Sequence, residues 1–255
     1  MVSRRVGTIP PVDLFYRDLA SLWPLVSPVE DYAPEAAQLL PALRARAPGA
    51  ATLLELGSGG GHLAHHLKSS FRCVLTDLSE PMLQGSRRLN PECEHAVGDM
   101  RTLDLGRTFD VVLAHDAIDY MTSEDDLRAV FAVAWRHLNP GGVACFIPDD
   151  LAETYEGGTD VSGVAAPDGR GVRLFEWSEP AVPGRTTVVT HYTFLVRDAA
   201  GDVRTLYERH VTGLFGRATW VQRLAEAGFE VEVEEEVTDD DRAPRQLFFG
   251  KKRRG

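Results

Sequence analysis

The stretch Leu53-Leu54-Glu55-Leu56-Gly57-Ser58-Gly59-Gly60-Gly61-His62 decides the fold. Thr52 to Leu56 is short and apolar with a β-branched start, which predicts a strand. Apolar spacing of the helical kind resumes over His62 to Lys68. The glycines between them permit a tight turn and let a ligand lie against bare backbone, while the N-terminus of the following helix offers free N–H donors. Strand, glycine loop and helix together make a cradle for a cofactor. Asp77 ends the next predicted strand, twenty residues beyond Gly57, where a carboxylate accepts both hydroxyls of a ribose; its plainer reading is a surface turn.

Working outward, Tyr32 to Ala47 carries Ala36, Ala37, Leu39, Leu40 and Leu43 at helical spacing, and Pro48-Gly49 closes that helix. Downstream the alternation repeats. Phe71 to Thr76 reads as a strand, Ser79 to Leu89 as a helix with Ser79 as its N-cap, and Glu94 to Val97 as a short strand. Phe109 to Ala114 is a near-continuous apolar run, as a strand buried on both faces requires. Ser123 with Asp126 opens a helix to about Leu138, Asn139-Pro140-Gly141-Gly142 stops it, and Val143 to Ile147 follows as a fifth strand. Strands alternating with helices predict a parallel, doubly wound sheet. From about Glu153 the pattern turns to long β-rich stretches, Val172 to Trp177, Thr186 to Arg197 and Val203 to Val211, with Ala200-Gly201 turning the last two. These predict an antiparallel insertion over residues 153–213, flanked by core segments 1–152 and 214–255. Thr219 to Ala227 is helical with Gly228 at C′, and Phe229 to Val237 and Gln246 to Gly250 are two last strands. Glu230, Glu232 and Glu234 alternate with Val231 and Val233, the pattern of a wet face on an edge strand.

Composition narrows the function classes. The chain has 255 residues, 44% hydrophobic and 25% charged, and no apolar run of membrane-spanning length. Met1 to Val12 has Thr8, Pro10 and Pro11 where a secretory signal needs an apolar stretch, so a cytoplasmic protein is expected. Cys73, Cys93 and Cys145 have no C-x-x-C spacing and read as reduced residues within strands, with neither a disulfide nor a metal site. A net charge of −11 opposes nucleic-acid binding, and the basic run Lys251 to Arg254 reads as a solvated tail.

The glycine loop alone leaves two cofactors open, because Gly59-Gly60-Gly61-His62-Leu63-Ala64 also satisfies the permissive G-x-G-x-x-A form of dinucleotide sites. Three further features separate them. Glu55-x-Gly57-x-Gly59-x-Gly61, then Gly98-Asp99-Met100, and then Leu138-Asn139-Pro140-Gly141-Gly142 with Ala227-Gly228-Phe229 resemble the motifs of the S-adenosylmethionine (SAM)-dependent methyltransferases of Rossmann-like fold. The resemblance covers nearly the whole chain. It implies an α/β fold, a Rossmann-like doubly wound seven-stranded sheet of strand order 3-2-1-4-5-7-6, with the antiparallel β insertion after strand five. It also implies that Glu55, Gly57, Ser58, Gly59 and Gly61 surround the methionine moiety of SAM. Asp77 follows at the ribose and Asp99 and Met100 at the adenine, with Leu78 a further cofactor-binding candidate. Asp31-Tyr32-x-x-Glu35-Ala36-Ala37, His62-Leu63, Arg88-x-Asn90-Pro91, Glu208-Arg209-His210 and Leu214-Phe215 further resemble small-molecule N-methyltransferases of nucleotide-linked amino sugars. More distantly they resemble glycine N-methyltransferase. Those amino-sugar enzymes often place a His shortly after strand four, where this chain has Ile118-Asp119-Tyr120. The resemblance also suggests a homodimer through the insertion.

Methyl transfer from a sulfonium needs orientation and a dry site more than a strong catalyst. A hydroxyl acceptor benefits from a general base, and an amine has only to lose a proton. Candidates for that work lie beyond the strand ends, at His115, Asp116, Asp119 and Tyr120, and at Asp149 and Asp150, with His191, Tyr192 and His210 added by the insertion. Tyr120, Asp119, His191 and His210 are the catalytic candidates. His115 serves equally as a contact to SAM, Asp116 and Asp119 as caps, and of His191 and Tyr192, on opposite faces of one strand, only one can face the cleft. Tyr16 and Tyr32 are candidate lid residues over SAM, and Trp23 is expected in the core. The expected function is methylation of an amine or hydroxyl on a small molecule, a sugar or natural-product intermediate. The competing readings are an NAD-dependent oxidoreductase and a non-catalytic SAM-binding module.

Overall fold

The computed structural model describes residues 14–237 and 244–254; the stretch Met1 to Val12 lies outside the described residues. Two short helices, α1 (Leu14–Arg17) and α2 (Trp23–Val26), precede α3 (Ala33–Arg46). The alternating core follows: β1 (Thr52–Leu56), α4 (His62–Leu67), β2 (Arg72–Asp77), α5 (Glu80–Leu89), β3 (Glu94–Val97), β4 (Phe109–His115), α6 (Glu124–His137) and β5 (Leu138–Ile147). Four strands, β6 (Gly158–Ala165), β7 (Gly171–Ser178), β8 (Thr187–Arg197) and β9 (Val203–Gly213), make a separate antiparallel sheet. The chain then returns through α7 (Arg217–Glu226), β10 (Glu230–Glu235) and β11 (Gln246–Lys251).

The main sheet runs β10-β11-β5-β4-β1-β2-β3, with β11 antiparallel between β5 and β10. Counting β10 and β11 as core strands six and seven, this is the expected order. Alternation along the central strands sends side chains to two cores. Leu54, Val112, Phe146 and Phe248 meet α6 and α7 through Phe131 and Trp220, while Leu53, Val111, Leu113 and Phe249 meet α3 through Leu39 and Leu43. Every residue from Val111 to Ala114 has no exposed surface, which is why that stretch is apolar without alternation. A third cluster lies off the main sheet: Phe15, Leu19 and Leu22 pack on Val172, Phe194 and Val196, fastening the N-terminal helices to the second sheet.

Local capping follows the sequence. Ser79 Oγ accepts the Met82 amide, and Ser123 and Asp126 form a reciprocal capping box. Four readings change. β6 has no apolar pattern: Gly158, Thr159, Asp160, Ser162 and Gly163 are exposed, so periodicity gave no sign of this edge strand. The Asn139-Pro140-Gly141-Gly142 stop does end α6, but it lies inside β5, absorbed by a register shift against β4. Cys93 precedes β3 and lies beside Cys73 of β2. The basic tail is held: Lys252 Nζ donates to the carbonyls of Trp135 and Leu138, at 2.7 and 2.9 Å, and Arg253 pairs with Glu230. The last carbonyls of α6 need donors, and the lysine supplies them.

Candidate active site

The glycine loop leaves β1 with its backbone tied to β2, Ser58 N donating to Thr76 O at 2.8 Å. Gly57 has φ +72, and a Cβ there would strike the Ala117 side chain and come within 2.7 Å of Met100 Cε. Gly61 has φ +73; a Cβ would meet Ser86 Oγ and lie 2.5 Å from Asn90 Nδ2, whose amide donates to Gly61 O at 2.8 Å. Both positions therefore require glycine. Asp77 is built into the loop: its carboxylate accepts the Gly59 amide at 2.8 Å and the Ser79 amide at 2.7 Å. Burial raises its pKa, against the pull of those donors.

Among the polar atoms buried without a partner in this cradle are Glu55 Oε2 and Ser58 Oγ. Glu55 is 3% exposed, and burial pushes its carboxyl pKa up to about 8. A buried carboxyl with a spare oxygen calls for a cationic hydrogen-bond donor. The cradle thus fits a cofactor carrying an ammonium at Glu55 and a ribose at Asp77. Leu78 is half-buried beside Asp77. Asp99 turns to Arg101, accepting its backbone amide and guanidinium at 2.7–3.2 Å; burial would raise the Asp99 pKa, but Arg101 holds it low. Met100 is buried against the loop.

Aromatic side chains of the N-terminal helices close over the loop. Tyr16 O accepts from Ser79 Oγ, and Tyr32 Oη bonds Ser27 Oγ at 2.8 Å with its ring edge-on to His62 and His115. Trp23 is half-buried rather than a core residue, packed between Phe15 and Gly60.

Beyond β4 and β9 the expected candidates separate into two groups. Tyr120 Oη lies 2.7 Å from His210 Nδ1 and 2.9 Å from Tyr16 Oη, and His210 Nε2 is 3.2 Å from Glu208 Oε2. Glu208 in turn accepts the Leu14 and Phe15 amides, so the N-terminal helix is fixed to the same line. Tyr192 packs edge-on to His210 at 4.7 Å. His191 is a correction: β8 sends Thr190, Tyr192 and Phe194 inward, so His191 faces out, bonded to Tyr207 and Glu179 at 2.7 Å each. It stands apart from the other candidates.

The second group surrounds Arg245. Its guanidinium pairs with Glu35, with Glu236 at 3.0 Å, with Asp116 at 2.9 Å and with Asp149 at 3.3 Å. His115 Nε2 joins them, 2.9 Å from Glu35 and 3.1 Å from Asp116. Burial works against this guanidinium, yet the carboxylates hold its pKa above the usual arginine value. Asp116 is the one non-glycine residue with positive φ among those described, at φ +48 and ψ −54, a strained backbone at the mouth of the sheet. Asp119 accepts the Asp149 amide at 2.8 Å.

A methyltransferase domain family matches residues 53–142. The chain is 33% identical over 223 residues to dTDP-3-amino-3,4,6-trideoxy-alpha-D-glucopyranose N,N-dimethyltransferase of Streptomyces venezuelae, covering 87% of this chain and 91% of the relative. It is also 33% identical to dTDP-4-amino-2,3,4,6-tetradeoxy-D-glucose N,N-dimethyltransferase of Saccharopolyspora spinosa, over 79% and 80% of the two chains. Among solved structures, SAM-bound CalS10, an amino pentose methyltransferase from Micromonospora echinaspora involved in calicheamicin biosynthesis, superposes with a TM-score of 0.74. Its identity is 29%, and 87% of this chain and 91% of that one are covered. The chain belongs to the SAM-dependent methyltransferases.

SAM is therefore the cofactor of this methyltransferase, and the NAD and non-catalytic readings fall away. The methyltransferase brings Tyr16, Tyr120 and His210 together, holds Asp119 by Asp149, and leaves His191 outside. Its ion cluster went unnoticed in the sequence. Glu35 appeared only within the Asp31-Tyr32-x-x-Glu35 segment, and nothing in the spacing joins it to Arg245, 210 residues away. Glu208 stood in the Glu208-Arg209-His210 segment, but its role as an acceptor for the N-terminal helix has no local signature.

Proposed function

We propose that the methyltransferase acts on the amine of an amino sugar or related natural-product intermediate, with Tyr120 and His210 moving the proton that the nitrogen gives up. The observation that carries this reading is the Tyr120 Oη contact with His210 Nδ1 at 2.7 Å, with Glu208 Oε2 3.2 Å from the other ring nitrogen. The names of the Streptomyces and Saccharopolyspora relatives, both N,N-dimethyltransferases of amino sugars, support the amine as acceptor.

Gly57, Ser58, Gly59 and Gly61 would carry SAM along their backbone, Glu55 would take its ammonium and Asp77 its ribose hydroxyls. Leu78 and Met100 would flank the adenine, with Asp99 fixing the turn through Arg101, and His115 and Tyr32 would close the methionine end. SAM, when bound, supplies a methyl group on a positively charged sulfur. At neutral pH an alkyl amine reaches the cleft as an ammonium and has no lone pair until one proton leaves. Tyr120 donates its one hydroxyl proton to Tyr16, so it takes up the nitrogen's proton only once that hydroxyl turns to a neutral His210, whose Nδ1 then receives Tyr120's own proton. One proton leaves the nitrogen for each methyl gained. Asp119 shapes the floor by holding the Asp149 amide, and Tyr16 with Tyr32 excludes water.

The outer face of the second sheet supports a homodimer. Val161, Phe175, Trp177, Leu195 and Tyr207 are each between 44% and 68% exposed on one face, and contiguous exposed apolar side chains of this kind mark interaction sites. Three free thiols, Cys73, Cys93 and Cys145, accord with a reducing cytoplasm.

The test is methyl transfer from isotopically labelled SAM to amino glycosides and to their hydroxyl counterparts, read by mass spectrometry. Label on nitrogen is expected. Label on oxygen alone would overturn the amine reading.

A further inference from the structure

Two of the three cysteines meet beside the cofactor loop. The parallel register of β2 and β3 pairs Val74 with Glu94, so one step back along both segments brings Cys73 opposite Cys93. Facing residues of a parallel pair point to the same side of the sheet, and both cysteines pack in the core beneath α3 and α4. Neighbouring strands lie about 4.8 Å apart, inside the span of roughly 4.4–6.8 Å that the Cα atoms of a disulfide take. Cys145, in β5, is separated from this pair by β4 and β1.

The two cysteines differ in access. Cys73 is buried within β2, whereas Cys93 is half-buried in the turn before β3. When Cys93 ionises, the Cys73 thiol stabilises its charge and lowers its pKa, against burial and Glu92. A reachable thiol beside a buried one is the arrangement of an attacking and a resolving cysteine. The turn that carries Cys93 also holds the cofactor loop. Cys93 N donates to Asn90 O at 3.0 Å, and the fully buried Asn90 side chain donates to Gly61 O at 2.8 Å. A displacement of Cys93 therefore reaches the glycine loop through one residue.

We infer that Cys73 and Cys93 form a redox modification site, which hydrogen peroxide closes to a disulfide, and that the closed form binds SAM less tightly. The Cys93 thiolate attacks a peroxide oxygen; a sulfur–oxygen bond forms, the oxygen–oxygen bond breaks and hydroxide leaves, taking up the proton that Cys93 released. The Cys73 sulfur then attacks the Cys93 sulfur; the sulfur–sulfur bond forms as the sulfur–oxygen bond breaks, and the departing hydroxide takes the Cys73 proton. Two thiol sulfurs are oxidised and one peroxide is reduced to two waters. Cys73 is fixed in β2 by its pairing with Leu53 of β1, so Cys93 is the partner that moves, drawing Asn90 away from Gly61 O.

The test treats the purified protein with hydrogen peroxide, quenches with catalase and reads two quantities: tryptic peptides under non-reducing conditions, by mass spectrometry, and affinity for S-adenosylhomocysteine, by calorimetry. Peptide 73–87 is expected joined to peptide 89–101. Affinity should fall about tenfold, the loss expected for one hydrogen bond, and dithiothreitol should reverse both changes. Cys93→Ser and, independently, Cys73→Ala should show neither change, while Cys145→Ser should show both. Unaltered affinity of each reduced variant is the control for folding. Absence of the joined peptide, or a joined peptide with unchanged affinity, would overturn the inference. So would an equal loss of affinity in Cys93→Ser, which would place the effect at oxidised Met82 or Met100 instead.

Discussion

Tyr120 stands shortly after β4, and a histidine meets it in space: His210 of β9 lies 2.7 Å from its hydroxyl. In the proposed function, proton transfer is shared by these two residues, 90 positions apart in the chain. Tyr120→Phe should lower kcat by about 10²-fold, the low end for general acid–base catalysis. His210→Asn should do much the same, with the double variant little worse than either, because both serve one path. Full activity in Tyr120→Phe would contradict this role. Glu55 gives a second prediction. Its folded pKa of about 8 exceeds the unfolded value, so the cofactor-free protein binds more protons than the unfolded chain across that interval. Stability from this group is present at low pH and is lost as pH rises through about 8, by at most about 1.4 kcal/mol per pH unit. Denaturant titrations from pH 5 to pH 8 should show the decline, and Glu55→Gln should flatten it. These residues differ in legibility. Gly57, Gly61 and Asp77 stood out because their chemistry is local: a turn, an N-terminus, a strand end. Arg245 did not, because a buried arginine is recognised only by the carboxylates that other segments bring to it.

At the scale of elements, helices and central strands were readable because burial imposes a period on them. The run Phe109 to Ala114 and the Ser123–Asp126 capping box appear in the structure where the sequence put them. β6 was missed for the converse reason, since an exposed edge strand containing Gly158 and Gly163 needs no apolar pattern. The alternation of β8 limited the cleft to Tyr192 or His191, and the inward packing of Phe194 decided for Tyr192. That packing also fastens the lid: Phe194 is fully buried with its ring 4.9 Å from Phe15. Phe194→Ala should destabilise the protein by about 3–5 kcal/mol, the usual range for a buried phenylalanine. It should also raise the KM for acceptor more than it lowers kcat, since α1 and Tyr16 lose their anchor. A purely global loss of stability with unchanged KM would show that the lid is held by other contacts, such as Glu208 with the Leu14 and Phe15 amides.

For the molecule as a whole, the main sheet carries the glycine loop, and one face of the second sheet places Tyr192 and His210 by Tyr120. Its other face carries Trp177 and Tyr207 outward. Trp177→Glu should convert a dimer into monomers in sedimentation velocity, and a wild-type monomer would remove the dimer proposal altogether. The central claim is that the loop from Gly57 to Gly61, closed by Asp77, binds SAM. It is tested most directly by thermal unfolding with S-adenosylhomocysteine and, in parallel, with NADH. At a hundred times its dissociation constant a ligand stabilises the folded state by about 2.7 kcal/mol. A rise in Tm with S-adenosylhomocysteine alone, lost in Asp77→Ala, is the predicted result; a rise with NADH alone would contradict the claim.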